Sequence, residues 1–132
     1  MSRSGYTDDG DNYAMWRGMV ASATRGKRGQ KLLRELAEAM DAMPVKELIA
    51  NELQSGGSYC ALGVVGAKRG VDLTAIDPED PDQLSRAFDI APCLAQEIEF
   101  INDDDFVYGE QETPAQRWQR VRKWVAEQIS AL

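Results

Sequence analysis

The sequence contains no histidine, only two cysteines and no long apolar run. Without histidine, a single chain lacks the usual general base near neutral pH and the commonest zinc ligand, so Ser-His-Asp and Cys-His catalysis are excluded. The two cysteines, Cys60 and Cys93, are too few to form a structural zinc site by themselves. We therefore expect a protein that is not an enzyme and that binds no metal and no cofactor.

The apolar content also bears on compartment and domain number. No apolar run approaches the roughly 18 residues that a membrane-spanning helix requires, and no leading apolar segment indicates a signal peptide. Cysteines in a chain that is not secreted are expected to be reduced. A chain of 132 residues, of which 43% are hydrophobic, predicts one domain with one core. We expect a soluble, cytoplasmic protein that does not bind membranes.

Charge is strongly sorted along a chain whose net charge is −7. The basic block, residues 17–34, has six basic residues and no acidic one. The acidic stretch, residues 72–112, has thirteen acidic residues and one basic residue, Arg86, which gives a local net charge of −12. The molecule as a whole repels nucleic acid and anionic membranes, so such binding would have to come from the basic block. The sorting favours a charged partner or contact with another copy.

Apolar residues at helical spacing, separated by glycine and proline signals, predict a helical protein. Helices are expected over residues 12–24, 29–43 and 62–68, from Pro81 to about Asp89, from Pro92 to about Ile101, and from Thr113 onward. A bend is expected over residues 25–29, which contain two glycines. The start of the last helix has a particularly clear signal, because Thr113, Pro114 and Gln116 match the N-cap, N1 and N3 preferences.

Residues 48–53 fit either a short helix or a strand, and the turn signal at 54–57 favours a small β-hairpin near residues 48–61. The predicted fold class is mainly α, with α+β as the alternative. We expect a compact bundle of about five helices. Residues 1–11 would form an N-terminal arm and residues 12–132 a single globular helical domain.

The basic block provides the first candidate site. Cations on a glycine-rich turn just before a helix N-terminus form a plausible anion site for phosphate, nucleic acid or a partner's carboxylates. The alternative is a solvated face that pairs with the acidic half of this protein. The candidate residues are Arg17, Arg25, Lys27, Arg28 and Lys31.

The acidic stretch provides the second candidate site, an acidic docking surface. Its candidate residues are Asp77, Glu79, Asp80, Asp82, Asp103, Asp104 and Asp105. A calcium or magnesium site at Asp103–Asp105 is the alternative. The EF-hand spacing fails, because a loop starting at Asp104 places Ala115 where the motif needs glutamate. We predict solvated or paired carboxylates rather than a metal site.

Several other conspicuous residues are expected to be structural. Cys60 follows a turn at a predicted helix start and Cys93 lies between Pro92 and Leu94, and both are interpreted as core cysteines. Gly63 and Gly66 lack the ending of a phosphate-binding loop, so they indicate close packing. The three tryptophans lie on helical stripes and are most simply core residues.

Several segments together resemble a family of small, functionally unassigned proteins encoded by tailed bacteriophages and prophages. The segments are Ser4–Tyr6, Asp8–Asp9, Asp11–Asn12, Trp16–Gly18, Arg25–Gln30, Cys60–Gly63, Asp77–Asp80, Asn102–Asp103 and Arg117–Val125. The resemblance spans nearly the whole chain and assigns no catalytic residue. It implies a small accessory protein made inside a bacterial host cell.

Two functions compete on this basis. The leading hypothesis is a non-enzymatic factor that binds a host or phage protein, with the acidic stretch occupying a nucleic-acid-binding surface as an inhibitor of a host or defence protein would. The alternative is a nucleic-acid- or nucleotide-binding module that uses the basic block. An enzyme built on carboxylates alone is the weakest of the three hypotheses.

Overall fold

The chain is described by a computed structural model that covers Arg3, residues 13–103 and residues 111–129. Over these ranges it forms six α-helices, one short 3-10 helix and one hairpin, which confirms the mainly α fold class. The helices are α1 (Tyr13–Arg25), α2 (Lys27–Asp41), α3 (Ala61–Arg69), α4 (Pro81–Phe88), α5 (Pro92–Asp103) and α6 (Pro114–Gln128). The 3-10 helix is Leu73–Ala75, and the antiparallel strands are β1 (Gln54–Ser55) and β2 (Ser58–Tyr59). Apart from Arg3, the predicted N-terminal arm lies outside the described residues.

The junction of α1 and α2 is tighter than the five-residue bend that the sequence predicts. Gly26 alone separates the helices, and Gly29 lies inside α2. Gly29 is buried because the chain folds back closely there: a Cβ at this position would lie 2.0 Å from the Ala23 carbonyl oxygen. Gln30 stabilises the α1–α2 junction and links it to the end of α6, because its Nε2 donates to the carbonyl oxygens of Thr24 (2.7 Å) and Gln128 (2.9 Å).

The predicted hairpin is present but short. Gly56 and Gly57 have φ values of 55° and 84°, which glycine adopts without steric cost, and they form the two-residue turn. Residues 48–53 are neither helix nor strand. Their backbone is satisfied elsewhere: Leu48 donates its N–H to the Pro114 carbonyl (3.1 Å), and Ile49 donates to the Tyr59 carbonyl (3.0 Å). This segment therefore fastens the hairpin to the start of α6.

The helix starts follow the sequence signals. Asp80 accepts the N–H groups of Asp82 (3.0 Å) and Gln83 (3.4 Å) at the start of α4. Thr113 and Gln116 form a complete capping box at the start of α6, with distances of 2.9 and 3.1 Å. Both α4 and α6 have a proline at the first helical position, where the missing N–H costs nothing.

The central element is α5, which contacts α1, α3, α4 and α6. Its apolar residues Leu94, Ala95, Ile98 and Ile101 are buried in the core. Polar residues on its other faces are buried as well, namely Glu97, Glu99, Asn102 and Asp103. A helix enclosed on all sides must find partners for these groups inside the protein. No helix within the described ranges is long and apolar enough to cross a membrane.

Close packing at Gly63 and Gly66 is confirmed. A Cβ on Gly63 would lie 1.9 Å from the Leu53 carbonyl oxygen, and one on Gly66 would lie 2.6 Å from Leu73 Cδ2. Backbone atoms cannot move aside as a flexible side chain can, so Gly63 is the more constrained position. The two glycines let α3 lie directly against the segment before the hairpin and against the 3-10 helix.

We expect Gly63→Ala to lower the free energy of unfolding by about 3 kcal/mol or more, because the added methyl overpacks against backbone. Gly18→Ala is the matched control, since a Cβ on Gly18 meets nothing within 4 Å. This control should raise stability by about 0.5–1 kcal/mol, as expected for Gly to Ala inside a helix. Urea denaturation of both variants measures the difference, and equal effects would contradict the close packing.

Candidate functional site

A buried ion-pair cluster lies at the C-terminal end of α5. Glu99 and Asp103 are four residues apart, so both side chains project from the same side of the helix. Both side chains are 1% exposed, and they face the Arg3 side chain, which is 2% exposed. This pairing brings together groups that are almost a hundred residues apart in the sequence, and it places Arg3 inside the fold.

Arg3 binds Asp103 through two parallel hydrogen bonds. Arg3 Nε lies 2.6 Å from Asp103 Oδ2, and Nη2 lies 2.9 Å from Oδ1. The third guanidinium nitrogen, Nη1, lies 3.5 Å from Glu99 Oε2 and 3.6 Å from the Sγ atom of Cys60. All three nitrogens of the planar group are therefore used, an arrangement that a lysine ammonium could not reproduce.

Asp103 is held in place by groups other than Arg3. Its Oδ1 atom also accepts the backbone N–H of Asn51 (3.1 Å) and the side-chain amide of Asn102 (2.8 Å). Asn102 is itself fixed, because its Nδ2 donates to the Ile49 carbonyl (2.9 Å) and its Oδ1 accepts the Ala61 N–H (3.0 Å). The carboxylate thus has a defined orientation that comes from the folded domain.

Cys60 is the N-cap of α3, and its Sγ atom accepts the N–H of Gly63 at 3.4 Å. Cys60 is buried, as is Cys93, and both are free thiols. The prediction that both cysteines are core residues is confirmed. The contact of Cys60 with Arg3 was not predicted, because nothing local in the sequence joins the two.

The Glu99 carboxyl group has a strongly perturbed pKa. Burial is the main cause and raises the pKa of Glu99 to about 8, with further increases from the negative charges of Asp103, Asp77 and Glu79. Arg3 opposes this increase but does not cancel it. Neither Glu99 oxygen has a hydrogen-bond partner among the described residues. Near neutral pH, Glu99 is therefore largely protonated, which leaves Arg3 and Asp103 as the ionised pair.

Cations from α6 satisfy the carbonyl end of α5. Arg117 Nε donates to the Asn102 carbonyl (3.1 Å), and Arg120 donates to the carbonyls of Ile101 and Asn102. Glu112 bridges these arginines, with its oxygens 3.3 Å from Arg117 Nε and 2.6 Å from Arg120 Nε. Positive charge at a helix C-terminus is favourable, and it offsets the acids that end α5.

The predicted acidic docking surface is only partly exposed. Asp77, Glu79, Asp80 and Asp82 are exposed or half-buried around the start of α4, where Asp77 accepts the Glu79 N–H (2.9 Å) and Asp80 caps the helix. Asp103 is buried against Arg3, so its assignment to an exposed surface was wrong. Asp104 and Asp105 lie outside the described residues.

The predicted basic site is divided between internal and surface roles. Arg17 pairs with the buried Glu97 through hydrogen bonds of 2.8 and 3.0 Å, so the alternative of pairing with the acidic half holds for this residue. Arg28 makes a single exposed contact of 3.2 Å with Asp89. The other predicted cations, Arg25, Lys27 and Lys31, are exposed around the α1–α2 junction.

An open groove of about 740 Å³ runs along α1 as far as the α1–α2 junction. Met15 and Met19 of α1 line it and are 69% and 50% exposed. Ala91 and Cys93 at the start of α5 form the opposite wall, and Lys27 and Arg28 form its basic rim. Met15 and Met19 recur at helical spacing with Val20 and Ala23, which is typical of a buried stripe, yet both methionines face outward.

Fold and sites together define a small helical domain whose central helix is held by buried ion pairs. No protein-family model, curated protein or solved structure matches this chain significantly. Within the described ranges, no group of three or more cysteine or acidic side chains is arranged to hold a metal ion. The function must therefore be inferred from the surfaces and the cluster themselves.

We expect Arg3→Ala to lower the free energy of unfolding by about 3–5 kcal/mol, because it leaves a buried carboxylate without its cation. Arg122→Ala is the matched control: Arg122 also binds a carboxylate twice, Asp41 at 2.9 and 3.0 Å, but on the surface. This control should cost at most about 1 kcal/mol. Chemical denaturation of both variants tests the difference, and comparable small losses would argue against a structural role for Arg3.

The raised pKa of Glu99 predicts a pH dependence of stability. The folded protein binds this proton more tightly than the unfolded chain, whose glutamate titrates near its ordinary value of 4.5. The stabilisation that Glu99 gains from binding this proton in the folded state is fully present below pH 4.5. It declines as pH rises and is lost above about pH 8. Glu99→Gln mimics the neutral acid, so its stability relative to wild type should increase across this interval. A constant difference, measured by denaturation at several pH values, would refute the assignment.

Proposed function

We propose that this protein is a non-enzymatic binding factor that docks an acidic amphipathic helix of a partner protein in the groove between α1 and the start of α5. The observation that carries the proposal is the pair of exposed methionines, Met15 and Met19, beside the basic rim formed by Lys27 and Arg28. The groove combines an apolar floor with charge of one sign, which is the chemistry that recognises a helix with an apolar face and acidic flanks.

The shape and lining of the groove suit a helix. Met side chains are unbranched and polarisable, so they adapt to the apolar residues of an incoming helix. Gly18 and Ser22 lie on the same face of α1 one turn apart and leave room for the partner to approach closely. A Cβ on Gly18 would contact nothing within 4 Å, so this approach is unobstructed.

Charge complementarity selects the occupant. Lys27 lines the groove and forms no salt bridge with any residue that the structure describes, so it is available to carboxylates from outside. Arg28 on the same rim makes one exposed contact with Asp89 and keeps its other guanidinium nitrogens for a partner. A second copy of the chain that presented the same groove would bring the same cations and would be repelled. An acidic helix from a different protein gains attraction from these cations and buries the methionines at the same time.

The groove favours a protein over a nucleic acid. Single strands are commonly bound by aromatic side chains that stack on bases, and the described lining residues include none. Arg17, one of the predicted phosphate-binding residues, is already engaged with Glu97. The net charge of −7 opposes nucleic-acid binding at long range as well.

The resemblance to phage and prophage proteins extends this proposal to its setting. The partner would be a host or phage protein in the cytoplasm of a bacterial cell, and binding it could inhibit a host or defence function. The exposed acids around α4 would have a secondary role, since Asp77 and Asp80 already accept backbone N–H groups there.

The test is fluorescence anisotropy with a labelled amphipathic peptide that has leucines on one face and glutamates on the other. Met19→Glu should weaken its binding about ten- to a hundredfold, since burying one methionine contributes about 1.5–3 kcal/mol. Val45→Glu is the matched control, because Val45 is similarly exposed (58%, against 50% for Met19) but does not line the groove. Val45→Glu should bind the peptide as wild type does.

The electrostatic contribution of Lys27 to peptide binding is tested separately. Lys27→Glu should weaken peptide binding and reduce its salt dependence, whereas Lys123→Glu, the same change on α6, should do neither. Stronger binding of the same peptide with lysines in place of glutamates, or of single-stranded DNA, would reject the proposal in favour of the nucleic-acid alternative.

A further inference from the structure

Arg3 fills a buried pocket built entirely from other parts of the fold. Asp103 and Glu99 of α5 form one side of the pocket, and Cys60 at the start of α3 forms another. Asn51 donates its backbone N–H to Asp103 from the segment before the hairpin. The pocket therefore has an independent framework, and Arg3 enters it from the end of the chain.

The pocket is shaped for a planar guanidinium group rather than for any cation. Asp103 accepts from two guanidinium nitrogens, at 2.6 and 2.9 Å, and the third nitrogen lies between Glu99 and Cys60 at 3.5 and 3.6 Å. A fork of donors in a single plane binds Asp103 twice while its third nitrogen reaches both Cys60 and Glu99. An ammonium group could contact only one or two of them.

The acceptor side of the pocket is held by contacts that do not involve Arg3. Asn102 and the Asn51 N–H fix the Asp103 carboxylate, and Gly63 N–H fixes the Cys60 sulfur at 3.4 Å. None of these groups belongs to the predicted N-terminal arm. A preorganised acceptor loses little freedom on binding its ligand, which is what distinguishes a binding site from a fortuitous contact.

We propose that this pocket is a guanidinium-binding site for which Arg3 is the intramolecular ligand. When Arg3 is withdrawn, a guanidinium group from a small molecule or from an arginine of another polypeptide takes its place. An external guanidinium group and Arg3 therefore compete for the same acceptors in the pocket. This proposal does not depend on the groove or on its partner.

The test is chemical rescue of Arg3→Ala, in which the side chain is removed and returned as methylguanidinium. Thermal unfolding should show a lowered Tm that rises with the logarithm of methylguanidinium concentration, as ligand linkage requires. Methylammonium at equal ionic strength should give a clearly smaller increase. Arg122→Ala, which opens no buried pocket, should show no increase specific to methylguanidinium.

Equal effects of methylguanidinium and methylammonium on Arg3→Ala, or equal effects of methylguanidinium on Arg3→Ala and Arg122→Ala, would overturn the proposal. If Arg3→Ala does not fold by itself, its refolding yield after dilution from denaturant serves instead. A yield restored by methylguanidinium and not by methylammonium supports the site, and a yield restored by neither rejects it.

A second experiment distinguishes a small guanidinium compound from an arginine of another polypeptide as the ligand. An acetylated peptide covering residues 2–6 carries Arg3 in its own sequence context and is added to Arg3→Ala, beside the same peptide with citrulline. Rescue by the arginine peptide at much lower concentration than methylguanidinium assigns the site to a polypeptide arginine. Rescue by both at similar concentrations assigns it to guanidinium compounds in general, and rescue by neither contradicts the proposal.

Discussion

The structure depends on the burial of a helix whose polar groups cannot reach water. α5 lies at the centre of the bundle with three buried acids, Glu97, Glu99 and Asp103. Each would be costly without a nearby cation or a bound proton. Arg17 pairs with Glu97, Arg3 pairs with Asp103, and Glu99 retains its proton near neutral pH because its pKa is about 8. Two ion pairs and one retained proton therefore stabilise a single helix.

These pairings determine how distant parts of the chain assemble. Arg3 and Asp103 are 100 residues apart, and Arg17 and Glu97 are 80 apart, so each pair closes a long loop around α5. Buried ion pairs often add little net stability compared with apolar packing, but leaving one partner unpaired is strongly unfavourable. Helix arrangements that separate either pair would leave a buried carboxylate without its cation, so such arrangements are disfavoured.

Local features of the fold were predictable from the sequence, whereas the buried cluster was not. The helices and the caps at Asp80 and Thr113 depend on residues within a few positions of one another, so periodicity and cap chemistry predict them. The hairpin was located correctly but predicted too long, because the backbone of residues 48–53 bonds to α6 and β2 across the fold. Arg3 carries no local signal of burial, and only the acids on both sides of the apolar stripe of α5 hinted that this helix would need internal cations.

Charge sorting along the sequence also has a different meaning in three dimensions. The acidic stretch suggested one continuous negative surface, yet Glu97, Glu99 and Asp103 are buried and the Glu112 side chain is only 9% exposed beside Arg120. Acidic side chains that form internal ion pairs or cap helices are less available to a partner. At the α1–α2 junction, Lys27 forms no salt bridge with any described residue and Arg28 makes one exposed contact with Asp89. Both line the groove that contains the exposed Met15 and Met19. The binding site that we propose for another protein therefore lies on the basic segment of a strongly acidic chain.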